Sequence, residues 1–176
     1  IYAQILVPVT VAPAFLDMVT MPAGMVLAAL SLWFVRHALA VWNSEGFDAP
    51  TVSVLLATFE DLGSVPVATV LGRGGRKLSL LDAPVANGQM GHVLDFDDTH
   101  LGGVILHTST ATLPALFALG EWRKSSGRDI IVSLAAAFEA GIRVGQAATS
   151  HHLGGWHLTG TLGTVAAAAG SARLIR

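Results

Sequence analysis

Residues 79–100 read SLLDAPVANGQMGHVLDFDDTH: a capping signal, a run of small residues, then a dense group of ionisable side chains. Ser79 and Asp82 stand at the three-residue spacing of a capping box, which predicts a helix from Ser79 through Phe96. The stretch from Gly91 to His100 holds two His and three Asp in ten residues, although the whole chain has only 12 acids. On a helix His92, Asp95 and Thr99 fall at i, i+3 and i+7 and share one face, with Asp98 beside them. Three carboxylates so close repel one another, and burial raises the pKa of at least one, which suits it to proton transfer near neutral pH. A solvated acidic helix end is the plainer alternative.

Around this stretch the pattern is helical. A first helix is expected from Pro22 to Trp42, behind an apolar arm at residues 1–21. A second, Ala49 to Asp61, opens with Asp48 as N-cap and Pro50 in the first turn. Val65–Leu71 (VPVATVL) is short and β-branched, an extended segment. Gly72–Arg76 is a turn without the spacing of a phosphate loop. Downstream, Leu101–Gly103 reads as a loop and Ser109–Arg123 as a helix interrupted early by Pro114. Ser125-Ser126-Gly127 stops it. The next helix, Arg128–Thr149, has Asp129 in its first turn, where a carboxylate suits the helix dipole, and a Glu139–Arg143 pair at i,i+4. A loop at His151–Trp156 precedes a last helix, Gly160–Leu174. Runs such as LAAAFEAG and TVAAAAGSA permit close backbone approach. The result is an all-α chain of about six helices with one short extended piece.

Composition narrows the class. Charged residues make up 12% of the 176, against about 25% in an average soluble domain. Hydrophobic residues make up 52%, mean hydropathy is +0.61 and net charge is −2. A chain this apolar is not disordered, and with no basic excess it does not bind nucleic acid. Without Cys it has no disulfides, thiolate zinc sites or cysteine-ligated clusters. Met18–Val35 is 18 residues without a charge, the length of a membrane span. Thr20, Pro22, Gly24 and Ser31 interrupt it, Arg36-His37 follows at once, and its flanks carry no charge asymmetry. Asp, Glu, Arg or His breaks every later helical stretch. The start has no basic n-region and Ile1 is not an initiator Met, so a signal peptide is not expected. A covered helix is preferred, and no membrane association is expected.

A second polar cluster puts His151, His152 and His157 within seven residues, beside Gly154-Gly155. Neither His-Glu-x-x-His nor another standard metal spacing occurs. His157, at the mouth of the last helix, is placed to bind an anion or move a proton, with Thr159 and Thr161 and free helix-start N–H groups to hold a carboxylate. A His packed under the loop is the structural alternative. His107 stands alone in VILHTSTATLP, and spacing does not promote it. No Gly-x-Ser-x-Gly nucleophile elbow is present.

These pieces, taken in order, resemble the MmgE/PrpD family. Asn87-Gly88 followed by Gly91-His92-Val93-Leu94-Asp95-Phe96-Asp97-Asp98-Thr99-His100 is similar to its signature. VATVLGRG at 67–74 precedes it, and His107, Pro114-Ala115-Leu116, Ser126-Gly127-Arg128-Asp129, Phe138-Glu139-Ala140 and Gly155-Trp156-His157-x-Thr159-Gly160-Thr161 follow in family order. The resemblance runs from about Pro22 to the C-terminus. It implies a helical bundle domain of MmgE/PrpD type over residues 22–176, truncated and lacking the smaller α+β lid domain. It implies catalysis by Asp95, His107 and His157, with Thr99 in the site. Helical neighbourhood adds His92 and Asp98 to Thr99 as substrate-binding positions. Family members include 2-methylcitrate dehydratase, cis-aconitate decarboxylase and iminodisuccinate epimerase. The resemblance therefore implies a cytoplasmic homodimer of propionate-type metabolism acting on a small carboxylate, with no cofactor and no metal. Thr108 stands where the family commonly has Pro. The only lysines, Lys77 and Lys124, match no catalytic motif, so the family's lysines and lid are expected beyond Arg176 and this stretch alone is expected to be inactive.

Dehydration β to a carboxylate requires removal of a C–H proton, protonation of the leaving hydroxyl and a cationic clamp. Two His and a perturbed Asp supply the proton transfers, and a 2-methylcitrate dehydratase-like hydro-lyase is the leading expectation. Decarboxylation or epimerisation uses the same groups. Two readings of another class stand beside it: a metal-binding module using His92, Asp95, His151 and His157, and a non-catalytic helical remnant.

Overall fold

Helix α1 (Pro50–Asp61) starts on a proline, whose fixed φ suits a first turn and whose missing N–H is one that a helix start leaves unpaired anyway. The structure, a computed structural model, describes residues 49–95 and 97–176. The apolar arm 1–21, the expected helix Pro22–Trp42, the membrane-length run Met18–Val35 and the cap expected at Asp48 lie outside the described residues. The capping position of α1 is Ala49, and no side chain caps it. Val52 and Leu56, one turn apart, are its buried positions.

The extended segment is half of a hairpin. Strand β1 (Ala68–Thr69) pairs antiparallel with β2 (Lys77–Leu78), Ala68 opposite Leu78 and Thr69 opposite Lys77. The turn between them takes positive φ at Gly72, Gly74 and Gly75, which a side chain would resist. Glu121, from the helix below, clamps the hairpin by accepting from the Thr69 N–H at 2.7 Å, the Thr69 hydroxyl at 2.9 Å and Lys77 Nζ at 2.6 Å. Desolvation pushes this carboxyl up, but the hydrogen bonds from Lys77 and Thr69 outweigh it and hold the group below the usual range.

Helix α2 (Asp82–His92) carries the small-residue run. The Ser79 hydroxyl accepts from the Asp82 N–H at 3.0 Å and donates to Asp82 Oδ2 at 2.7 Å, as the capping spacing predicts. Ser64 Oγ donates to the same oxygen at 2.6 Å and accepts from the Ser79 N–H at 2.8 Å, where a complete capping box would have placed the carboxylate. Asn87 is buried and devotes its amide to the hairpin, accepting from the Leu71 N–H at 2.9 Å and donating to the Thr69 carbonyl at 3.0 Å.

Helix α3 (Thr108–Arg123) runs straight through Pro114, contrary to the expected interruption. The proline is fully buried, and the helical bond it removes is the one to Thr110 O. That carbonyl is pressed against α2: a Cβ at Gly88 would lie 3.1 Å from it. Lys124, in the left-handed conformation at φ 56°, closes α3.

Helix α4 (Gly127–Ala147) has a side-chain cap, the Ser126 hydroxyl accepting from the Asp129 N–H at 3.2 Å and donating to its carboxylate at 2.6 Å. A one-turn helix α5 (Ser150–Leu153) occupies part of the expected loop, and α6 (Leu158–Leu174) follows. Ser133, Leu134, Ala137, Gly141 and Gly145 form the buried stripe of α4. Glycines bring α4 and α6 together: a Cβ at Gly141 would lie 2.9 Å from Ala166 Cβ, and one at Gly170 would lie 2.9 Å from Ala137 Cβ and 3.0 Å from Ser133 O. Glu139 and Arg143 pair on the outer side, as expected. By length and composition α4 is apolar enough to cross a membrane, so a stretch comparable to Met18–Val35 does follow it, although charges such as Glu139 and Arg143 interrupt α4 as expected.

Two apolar cores result. The larger joins α1, the hairpin, α2 and α3 around Val52, Leu56, Val70, Leu78, Met90 and Leu113. The smaller, Val104, Leu106, Leu158 and Leu162, lies under the 97–107 segment and holds it against α6. Six helices and one short hairpin among the described residues make the fold all-α, as the sequence predicts.

Candidate active site

Helix α2 ends at His92, four residues before the expected end at Phe96, and the acidic run leaves the helix. Carboxylates at a helix C-terminus face the negative end of the dipole, which disfavours carrying the helix on into the acidic run. The chain turns instead through Asp95, at φ +55°, a conformation Asp tolerates better than most residues. It then runs down to a small antiparallel bridge in which His100 and Leu106 exchange backbone hydrogen bonds of 2.9 and 3.2 Å. The single helical face expected for His92, Asp95 and Thr99 therefore does not exist. The turn gathers these residues anyway, around His107.

His107 sits at the capping position of α3. Its backbone N–H donates to Thr159 Oγ1 of α6 at 3.1 Å, which ties the start of one helix to the start of another. Its ring is mostly buried. Nδ1 lies 3.2 Å from Thr99 Oγ1 and 3.3 Å from Asp97 Oδ1, while Nε2 lies 3.7 Å from Asp95 Oδ1. The ring of His92 is 5.0 Å away, and its Nδ1 is 3.0 Å from Asp97 Oδ2. Asp95 itself is open to solvent, with 74% of its side chain exposed, whereas Asp97 is 4% exposed.

Asp97 is the residue that sequence reasoning missed. Five positions after His92 it would stand about 140° round a continuous helix, away from the face in question. Only the break at His92 turns it inward. Its place inside the acidic run was the available signal.

Asp98 does not point into this group. Its carboxylate accepts from the Ser109 N–H at 3.3 Å, at the N-terminus of α3. Burial raises its pKa, with the neighbouring Asp97 adding to the shift and the bonds from Ser109 opposing it. The raised carboxyl expected in the run is thus Asp98, held as a helix-start tie.

On the other side of His92 an open cleft of about 460 Å³ lies between α2, α3 and α6. Its walls include Gln89, His92, Thr110, His157, Thr159 and Thr164, with no Lys or Arg among the lining residues. His157 occupies the capping position of α6, its exposed side chain making no capping bond, and its ring lies 6.4 Å from that of His92. Thr161 is not on this wall: its hydroxyl turns back to the carbonyls of His157 and Leu158, both at 3.3 Å. His92 thus belongs to both halves, with His157 across the cleft and Asp97 and His107 behind.

His92, Asp95, Asp97 and His107 each offer one ligand atom, and these four atoms lie within 4.8 Å of one another. Among the described residues, these four form a group that could hold a metal ion. The set expected from the sequence does not form, because His151 is exposed on α5 and His157 stands apart.

The pattern of the MmgE/PrpD N-terminal domain matches residues 38–176, and the chain belongs to the MmgE/PrpD family. It is 40% identical over 102 residues to the cis-aconitate decarboxylase-like protein oryM of Aspergillus oryzae, a match covering 53% of this chain and 21% of that protein. It is 32% identical over 108 residues to a cis-aconitate decarboxylase of Aspergillus terreus, covering 57% of this chain and 22% of that protein. The chain thus spans about a fifth of the length of the curated relatives it matches. These relatives are named as lyases, so the family is one of enzymes.

Proposed function

We propose that this chain supplies one wall of the active site of a lyase that acts on small di- or tricarboxylates by cofactor-free proton transfer. The observation that carries this reading is the convergence of imidazoles at one cleft, His157 across from His92 with His107 behind it. Decarboxylation breaks a C–CO₂ bond and returns a proton to carbon. Dehydration takes a proton from carbon and gives one to the departing hydroxyl. Dehydration needs an acid and a base held a few ångströms apart, and decarboxylation needs an acid beside the carbon that loses CO₂, each in a partly dry site. His107 and His157 are the proposed acid/base pair, with Asp95, Thr99 and His92 orienting substrate. The start of α6, with its unpaired N–H groups, favours a substrate carboxylate at Thr159 and Gly160. Asp98 is withdrawn from substrate binding in this reading, since its carboxylate serves α3.

The names of the relatives favour cis-aconitate over the 2-methylcitrate expected first. A homodimer in the cytoplasm, free of metal and nucleic acid and not attached to a membrane, belongs to the same proposal. So does the need for cationic groups from beyond this wall, because no Lys or Arg lines the cleft among the described residues. The test is to supply the full-length protein with cis-aconitate and with 2-methylcitrate, following CO₂ release and formation of the dehydrated acid. Turnover of either supports the lyase reading, and CO₂ release from cis-aconitate alone selects decarboxylation. No turnover of either by a folded dimer contradicts the reading.

A further inference from the structure

We infer that His92, Asp95, Asp97 and His107 form a binding site for a divalent ion of the zinc type, and that this ion inhibits the enzyme rather than serving it. The coordination stands on geometry. The inhibition rests on the lyase reading above, in which the working protein carries no metal. Asp97 points to a cation. Its side chain is 4% exposed, and its Oδ1 is buried with no hydrogen-bond donor among the described residues. A buried carboxylate oxygen left without a partner is costly, and a cation satisfies it. This oxygen faces the ligand group: it lies 3.3 Å from His107 Nδ1, while Oδ2 lies 3.0 Å from His92 Nδ1 and Asp95 Oδ1 lies 3.7 Å from His107 Nε2. Ligand atoms held at about 2.0–2.1 Å by a tetrahedral zinc ion stand roughly 3.3 Å from one another. The four ligand atoms here, none more than 4.8 Å from another, are near that arrangement before any adjustment.

Two imidazoles beside two carboxylates select the metal. Magnesium and calcium take oxygen ligands, whereas imidazole suits zinc and its neighbours. The ligands stand at fixed places: His92 ends α2, His107 precedes α3, and the His100–Leu106 bridge closes the segment between them. Asp95 is the exposed member, 74% open to solvent, and gives an ion its way in. A neutral imidazole has a single nitrogen lone pair to share. Once that pair is bonded to metal, His107 accepts no proton, whichever ring nitrogen binds. The proposed acid/base pair is then reduced to His157.

The test uses the full-length protein, stripped of metal with a chelator and titrated with zinc chloride in a calorimeter, with turnover followed over the same zinc range. Binding at micromolar zinc or tighter is expected, with turnover lost as the site fills and restored by EDTA. Losing an outer partner of a metal ligand costs roughly 10–100-fold in affinity, so Asp97→Asn, which removes a ligand's charge, is expected to weaken zinc by at least about tenfold. The exposed imidazoles of His151 and His152 are the rival site, and replacing both with Ala is expected to leave zinc affinity unchanged. If Asp97→Asn does not fold, X-ray absorption of the wild-type zinc complex decides, with two imidazoles and two carboxylates expected around the ion. No binding at micromolar zinc, full affinity in Asp97→Asn, loss of binding without His151 and His152, another ligand set, or full turnover with zinc bound overturns the inference. Turnover by a protein that takes up no zinc defeats this inference and leaves the lyase reading standing. Zinc held by these four residues in a protein that turns over neither acid supports the site and defeats the lyase reading.

Discussion

The α4–α6 seam and the segment from Val93 to His107 are built on opposite plans. The seam is held by the absence of side chains: Gly141, Gly145 and Gly170 let Ala137, Leu162 and Ala166 pack against bare backbone. The 93–107 segment is held by polar exchange, through the His100–Leu106 bridge, the Thr159 tie to His107 and the Asp98 tie to Ser109. One tolerates no added atom. The other depends on particular donors and acceptors, and includes a residue, Asp95, at a backbone angle that helps to aim it. Stability and chemistry therefore lie in separable parts of the fold.

Substitutions break that comparison in order of size. Gly170→Val places a branched side chain against the Ser133 carbonyl and Ala137, and is expected to cost about 3 kcal/mol in denaturant titration, with turnover per folded molecule kept. Asn87→Ala leaves the Leu71 N–H and the Thr69 carbonyl without their partner, and a loss of about 2 kcal/mol is expected by the same titration. Asp95→Gly reverses the sign: the positive φ suits glycine, so stability holds or rises by up to about 1 kcal/mol while turnover drops. A fall in both quantities together would show that the two regions are not separable. Asp98→Asn is the mildest. Burial raises the Asp98 carboxyl, so its contribution to stability is full below the ordinary carboxylate range and lost as pH rises through the raised value. Asn keeps the acceptor for Ser109, and the variant is expected to show a flatter stability–pH curve across that window in thermal melts.

The two regions also differ in how far they could be read in advance. Helix positions follow from apolar runs and local caps, and Ser126 with Asp129 starts α4 as the pattern predicts. The second strand was hidden because Lys77-Leu78 has no β-branched run and is held from a distance by Glu121. Pro114 read as an interruption because the loss of one helical bond is local knowledge, whereas the burial that offsets it is tertiary. In the site, His92, Asp95, Thr99 and His107 were named and come together, but for a different geometric reason. A periodicity argument assumes that the helix continues; the turn at Asp95 is what turns Asp97 inward and Asp98 toward α3.

The most direct measurement is the turnover of cis-aconitate by full-length protein carrying His157→Ala or His107→Ala. Loss of about 10²–10⁴ in kcat from each, with unchanged thermal stability, is the result predicted for proton-transfer groups. Wild-type turnover in both variants would contradict the placement of the chemistry at this cleft.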